Sequence, residues 1–246
     1  MNTAHSLACA LLVSTLAALT TTANAANFGV SPLSVDLTTQ QRSAVITVSN
    51  DDSKNIQLRV HAIRWTQNEV GEDQYQPSED LVFFPKRLEI KPGEQRIIRI
   101  GLPAAPLAGK ERAYRLFVEE LPPVELPTDG QTKLSVLLSF ALPVFVAPVA
   151  TPAKLDVKSV ELSRDGTLSM QMTNIGQSRA RISRVVSEDG KLASESVSSR
   201  YLFPLIAKTI TAKLGLDACR QSPKRLKIEL DGQLVDIAID RNACAS

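Results

Sequence analysis

Histidine, cysteine and aromatic side chains are scarce in this sequence, and each shortage closes off a class of function. The two histidines, His5 and His61, cannot build a multi-histidine metal site, and a Ser/His/Asp or Cys/His catalytic set would have to centre on one of them. Seven Phe, three Tyr and one Trp supply little for an aromatic sugar-binding surface. Lys and Arg number 28 against 26 Asp and Glu, a net +2 that is too balanced for a protein whose affinity comes from neutralising phosphates. Beyond the first 20 residues no apolar run approaches the roughly 20 residues that span a bilayer. The nearest approach to a phosphate loop, Gly109-Lys110, is followed by Glu111 and has Ala104 where the first glycine belongs. The expectation is a binding protein: no enzyme, no cofactor, no metal, no nucleic acid and no membrane insertion.

What is present starts with an uncharged, mostly apolar stretch over residues 6–20, followed by Ala23-Asn24-Ala25 with the small-x-small pattern of a secretory cleavage site. Residues 1–25 read as a signal peptide, although the segment before the apolar stretch carries His5 and no Lys or Arg. Its removal takes Cys9 away and leaves Cys219 and Cys244, an even pair in an oxidising compartment, for which a disulfide is the simplest reading. In the chain-entropy account such a cross-link is worth about 3 kcal/mol.

From residue 26 onward short alternating segments recur between turn residues, and none keeps an amphipathic helical period over three turns. Ala44–Val48, Ile56–Trp65, Arg96–Ile100, Tyr114–Val118 and Leu134–Val146 read as strands, with about seven strands in all before residue 147. A central Trp65 and a Tyr114 near the start of a late strand suit an immunoglobulin-like sandwich. Residues 148–153 are proline-punctuated and uncharged, as a stiff link would be. The pattern restarts at Leu155–Leu162 and continues through 167–172, 179–186, 209–214 and a hairpin of 225–230 with 234–239 turning at Asp231-Gly232. The fold class is therefore all-β, with two sandwiches over 26–147 and 154–246. Residues 27–147 carry thirteen basic and fifteen acidic side chains, whereas 148–246 carry fifteen and eleven. These opposite signs suit two domains bent to face one another across a cleft, or are simply solvated charge.

Alternation is strongest where Leu134, Val136, Leu138, Phe140 and Leu142 share one strand face, an apolar ridge about 26 Å long at ~3.3 Å per residue. Such a ridge either packs in its own sandwich or serves as a template for another chain. Its length exceeds that of a usual strand, and a loop with three prolines, residues 122–130, precedes it.

At this point the chain resembles the PapD-like periplasmic chaperones of the chaperone-usher pilus pathway. The resemblance rests on Phe28-Gly29-Val30-Ser31-Pro32, Val48-Ser49-Asn50, Trp65, Phe84-Pro85, Lys91-Pro92-Gly93, Glu111 to Leu116 and the alternating strand. Pro143-Val144-Phe145-Val146-Ala147-Pro148 is similar to the divergent branch that includes archaic chaperones. The resemblance implies two immunoglobulin-like domains in a boomerang-like arrangement and a periplasmic location. It also implies a donor strand of Leu134, Val136, Leu138, Phe140 and Leu142 lent to pilus subunits, delivery of those subunits to an outer-membrane usher, and a free state that can cap itself as a dimer. Four donor side chains would contribute on the order of 6 to 12 kcal/mol at ~1.5 to 3 each. The Arg and Lys that usually grip the subunit's terminal carboxylate fall on Ser34 and Pro143 here. Arg115 is the candidate replacement, because it interrupts an apolar strand, and Arg99 is second; either can equally be an ordinary surface arginine. Glu111 matches a position that bridges the domains, while its usual Arg partner falls on Ala147. Trp65 and Tyr114 are expected in the core, and His61 is expected as a strand residue with a satisfied ring. The rival class is a secreted two-domain adhesive or carbohydrate-binding module.

Overall fold

A computed structural model describes residues 28–104, 109–122, 136–147 and 151–242. The signal-peptide reading of residues 1–25, Leu134 and Cys244 lie outside the described residues.

The first sandwich comprises β1 Phe28–Ser31, β2 Val35–Leu37, β3 Ser43–Asn50, β4 Ile56–Gln67, β5 Asp73–Pro77, β6 Val82–Phe84, β7 Arg87–Ile90, β8 Gln95–Gly101, β9 Arg112–Glu120 and β10 Ser139–Val146. One sheet has the order β1-β3-β8-β6. The facing sheet runs β2-β10-β9-β4-β5, with β7 pairing the start of β4. Alternation puts Ile46 and Val48, Ile98 and Ile100, Leu116 and Val118, and Val144 and Val146 on the inner faces, where each is essentially inaccessible. This is the arrangement that aligned sheet packing requires.

The second sandwich comprises β11 Leu155–Leu162, β12 Thr167–Asn174, β13 Ala180–Ser187, β14 Ser196–Val197, β15 Tyr201–Leu202, β16 Ala207–Lys213, β17 Arg225–Leu230, β18 Gln233–Ala238 and β19 Arg241–Asn242, with one short helix, α1 Asp217–Gln221. Its sheets are β14-β16-β12-β11-β19 and β15-β13-β17-β18. The hairpin turning at Asp231-Gly232 forms as expected, both residues taking positive φ (48° and 81°), the requirement of a tight two-residue turn.

The two sandwiches share a local device. Asn50 at the end of β3 and Asn174 at the end of β12 are both fully buried. The Asn50 amide donates to the carbonyls of Lys54 and Ile90, and the Asn174 amide to those of Ser178 and Leu202. Each Oδ1 accepts a backbone N–H two residues on, from Asp52 and Gly176. A buried amide with three partners is a strong local constraint, and it fixes the turn after each strand.

Trp65 packs in a buried core cluster as expected, and the place of that cluster is what the sequence did not indicate. Its partners are Ala113, Phe145 and Phe203, the last from the second sandwich, rather than the first domain's core. Tyr114 does lie in that core, and its hydroxyl donates to the Asp80 carboxylate at 2.7 Å. The ring of His61 stacks on Phe117 at 4.8 Å, yet among the described residues its Nδ1 has no hydrogen-bond partner, and Glu119 lies 3.6 Å away. The satisfied ring expected for it is not found.

Candidate functional site: an open strand edge leading into an interdomain cleft

The edge of β10 is the first component of the site. Its whole length pairs antiparallel with β9, from Ser139 opposite Glu119 to Val146 opposite Arg112. On the other side β2 pairs parallel with Val144–Val146 alone. The chain before β2 belongs to the opposite sheet, where β1 pairs with β3, and it crosses over between Ser31 and Val35. Among the described residues, the flank of β10 from Ser139 to Pro143 is therefore without a strand partner.

Hydrogen-bond alternation tells which groups that flank presents. Glu120 N donates to Leu138 O, so Leu138, Phe140 and Leu142 direct their backbone groups to β9, while Ser139, Ala141 and Pro143 direct theirs outward. Ala147 N donating to Leu37 O continues the same parity at the far end. Ser139 and Ala141 thus offer donors and acceptors to an incoming strand. Pro143 offers only its carbonyl, having no N–H.

The ridge is not uniformly free. Leu142 is wholly enclosed in the first core, and Leu138 and Phe140 are partly buried against it, with Phe140 packed edge-on to Phe28 at 5.1 Å. Val136 is the outlying member, 63% exposed. Of the strand expected from Leu134, the described residues before Ser139, 136–138, are not extended into the sheet, and β10 begins at Ser139. The contribution of roughly 6 to 12 kcal/mol expected from Leu134, Val136, Leu138 and Phe140 is accordingly too large, because Leu138 and Phe140 have already left water in part.

Pro143 opens onto the second component, a cleft of about 710 Å³ between the sandwiches, lined among others by Ser34, Trp65, Arg115, Pro143, Arg200 and Lys208. Arg115 stands on β9 opposite Pro143. Its guanidinium carbon lies 3.8 Å from the Trp65 ring centroid, and Nη1 donates to Ala141 O at 3.3 Å. The ring beneath it is held by the second domain: Phe203 and Tyr201 meet Trp65 edge-on at 4.7 and 5.4 Å. Lys208 donates to Gly71 O at 2.6 Å, which ties the β4–β5 turn to β16. The Gln67 side chain donates to Tyr201 O and accepts from Phe203 N. Asp73, the carboxylate lining this cleft, accepts a hydrogen bond from the Gln67 amide. The cleft therefore presents an excess of positive charge, suited to an anionic group. Arg99, the second anchor candidate, is exposed on β8 in the opposite sheet and does not line the cleft.

The third component is a bridge that the sequence reading only half located. Glu111 has a 5% exposed side chain and meets Arg179 at 2.7 Å, and Arg179 also meets Asp36 at 2.7 Å. The Arg179 guanidinium lies 3.5 Å from the Phe145 ring centroid. The arginine missing at Ala147 is thus supplied by the second domain. Burial pushes the Glu111 carboxyl above its ordinary value, against the opposing pull of the Arg179 charge. No residue near Arg179 in sequence hints at Glu111, 68 positions earlier, and only the unusual buried charge on a short strand approach marks it afterwards.

Residues 27–152 match the family model described as pili and flagellar-assembly chaperone, PapD N-terminal domain. The chain belongs to this family. No curated protein matches it in sequence. Among solved structures it is similar to a chain of the CsuC-CsuE chaperone-tip adhesion subunit pre-assembly complex from archaic chaperone-usher Csu pili of Acinetobacter baumannii (17% identity, TM-score 0.62, covering 88% of this chain and 99% of that one). It is also similar to a chain of the Salmonella enterica SafA pilin–SafB chaperone complex (13%, 0.60, 88% and 98%) and to the E. coli chaperone DraB (14%, 0.58, 88% and 100%). At these identities the likeness is one of fold, and it extends through both sandwiches of the family member described here.

Proposed function

We propose that the chain is a periplasmic chaperone that captures pilus subunits by lending them β10 and the segment before it, and passes them to an outer-membrane usher. The observation that carries this reading is the unpaired flank Ser139–Pro143 ending at Arg115. An incoming strand aligned with β2 runs parallel to β10, so its C-terminus arrives at Pro143. There the ladder has no further N–H to give, and a terminal carboxylate meets the Arg115 guanidinium, a charge-assisted contact. The antiparallel alternative would bring an ammonium group against the same arginine. Val136, and Leu134 before it, would enter the subunit's groove, while Leu138 and Phe140 turn part of their surface to it.

Capture of secreted subunits requires export, which the reading of residues 1–25 as a signal peptide supplies. A Cys219–Cys244 disulfide suits the same compartment. Tyr75 and Phe84, the exposed aromatics among the described residues, stand on different sheets, so they lend no support to a sugar-binding platform.

Val136→Glu tests the reading at the most exposed of the described donor positions. The folded chaperone should keep its stability within about 0.5 kcal/mol, as exposed substitutions do, while co-purification of subunits from the periplasm should fall at least tenfold. Unchanged subunit recovery would falsify the donor role.

A further inference from the structure

We propose that the turn Phe203 to Ile206 and the cavity beneath it form a second docking surface, which takes a polypeptide segment carrying an aromatic side chain between acidic ones. The inference goes beyond strand capture and uses no residue of the open edge.

The cavity is separate from the cleft at Arg115, although Trp65 lines both and so forms a wall common to the two. Trp65, Phe203, Pro204 and Ile206 make its surface apolar, while Arg64, Lys110 and Arg112 bring three positive charges to it. Glu111, the carboxylate of the lining, is already held by Arg179 at 2.7 Å. Arg112 stands 3.9 Å from Asp80, which also accepts the Tyr114 hydroxyl, and among the described residues neither Arg64 nor Lys110 forms an ion pair. Trp65 Nε1 is buried and has no hydrogen-bond partner among the described residues. An apolar floor with uncompensated cations around it suits a group that is apolar at its tip and anionic beside it. The volume of about 200 Å³ falls below the range of about 300–1,000 Å³ that holds small-molecule ligands, and it leaves room for one large side chain. The rings of Trp65 and Phe203 favour an aromatic one.

The turn above the cavity points to a polypeptide as the bearer of that side chain. Ile206 N donates to Phe203 O at 3.2 Å, which puts Pro204 and Leu205 at the two central positions. Leu205 has φ of +66°, a conformation that a turn of this kind reserves for glycine or asparagine, and its side chain is 65% exposed, so the strained backbone gains the free chain no packing. Leu205 N donates to Asn174 O at 2.7 Å, and the next residue, Ile175, is a second exposed aliphatic. Glu111 N, between Lys110 and Arg112, donates to Gln177 O at 2.8 Å, so the same stretch adjoins the cations. Leu205, Ile175, the cavity and the basic rim are therefore continuous. A surface of that breadth can seat the residues on either side of an inserted anchor as well as the anchor itself.

The test uses the full mature chain and acetyl-Gly-Asp-Phe-Glu-Gly-amide, whose blocked ends carry no terminal charge to the Arg115 cleft. Trp65 is the single tryptophan, and its fluorescence reports occupancy. The peptide should give a saturable change. Acetyl-Gly-Asn-Phe-Gln-Gly-amide and acetyl-Gly-Asp-Ala-Glu-Gly-amide should each bind at least fivefold more weakly. Arg64→Gln combined with Lys110→Gln should cut the preference for the acidic peptide over its neutral analogue to less than twofold. Leu205→Gly relieves the turn, so it should melt no lower than wild type and yet bind the acidic peptide at least threefold more weakly. Val136→Glu, which disables the proposed donor strand, should bind it as wild type does. The proposal is overturned by the absence of saturation, by equal binding of the three peptides, by an unaltered preference in the double variant, by wild-type affinity in Leu205→Gly, or by loss of binding in Val136→Glu. It is overturned in favour of a lipid surface if vesicles of three parts phosphatidylethanolamine to one part phosphatidylglycerol bind in place of the peptide, and in favour of a second copy if Leu205→Gly abolishes a self-association of the free chain.

Discussion

At the residue scale the charged bridge decides how the two domains meet. Arg179 is only 17% exposed, and its partners Glu111 and Asp36 both lie in the first sandwich. Arg179→Ala leaves a buried carboxylate behind and should lower stability by about 3 kcal/mol, the low end for breaking a buried pair, since Asp36 is free to turn to water. A urea titration reads it. Glu111 carries a pH signature of defined sign. Its folded-state value is raised by burial, so the contribution of this group is fully present below the ordinary 4.5 and declines as pH rises through the raised value. Wild type should therefore lose stability relative to Glu111→Gln on going from pH 4 upward, measured by melting both proteins across the range. Tyr114 acts at the opposite end. Burial and then the Asp80 hydrogen bond push it up to about 12 from 10, so folded stability should fall between pH 10 and 12. Tyr114→Phe should remove that decline at a cost of about 1 kcal/mol for the lost hydrogen bond.

At the element scale the residues of β10 fall into two sets. Its inner half is core: Leu142→Ala should cost 2–5 kcal/mol of stability (roughly, for a filled aliphatic site) and should act on folding before it acts on binding. Its outer half, Ser139–Ala141, is the proposed template. Ala141 directs its N–H away from β9, as Pro143 does its ring nitrogen, so Ala141→Pro keeps every bond of the strand's own ladder. It should leave the free chain within about 1 kcal/mol of wild type by thermal melt, and it should weaken subunit binding at least fivefold. Much of this element was legible beforehand, since alternation from Leu134 located the strand and the interruption at Arg115 located the cation. Alternation does not tell which end of a ridge is covered, because that depends on where a partner strand stops, and β2 is three residues long with no pattern of its own. Strand β5 was missed for a related reason: Asp73–Pro77 is exposed throughout, so no buried face writes a period into its sequence. Arg179 and the interdomain placement of Trp65 were hidden because the side chains that define them come from a separate domain.

At the scale of the whole molecule the second sandwich is part of the site even though the strand edge belongs to the first. Phe203 and Tyr201 hold the ring on which Arg115 rests, and Gln67 and Lys208 fasten the domains around it. Phe203→Ala, in a domain that contributes nothing to the edge, should therefore reduce discrimination between a carboxylate and an amide terminus at least twofold as well as lowering the melting temperature. Gly71 enforces the same closeness. Its φ is +77°, and a Cβ there would approach Lys208 Cδ to 2.7 Å, so any side chain is strained in its backbone and forces the Lys208 side chain to shift.

The brevity of β2 has a consequence for how such a protein relates to ordinary sandwiches. Were the three residues ahead of Val35 to lie down beside Ala141 and Pro143, the open flank of β10 would be covered and the proposed docking edge lost. Whether that margin stays open is set by where one short segment changes sheets, a matter of a few residues of register.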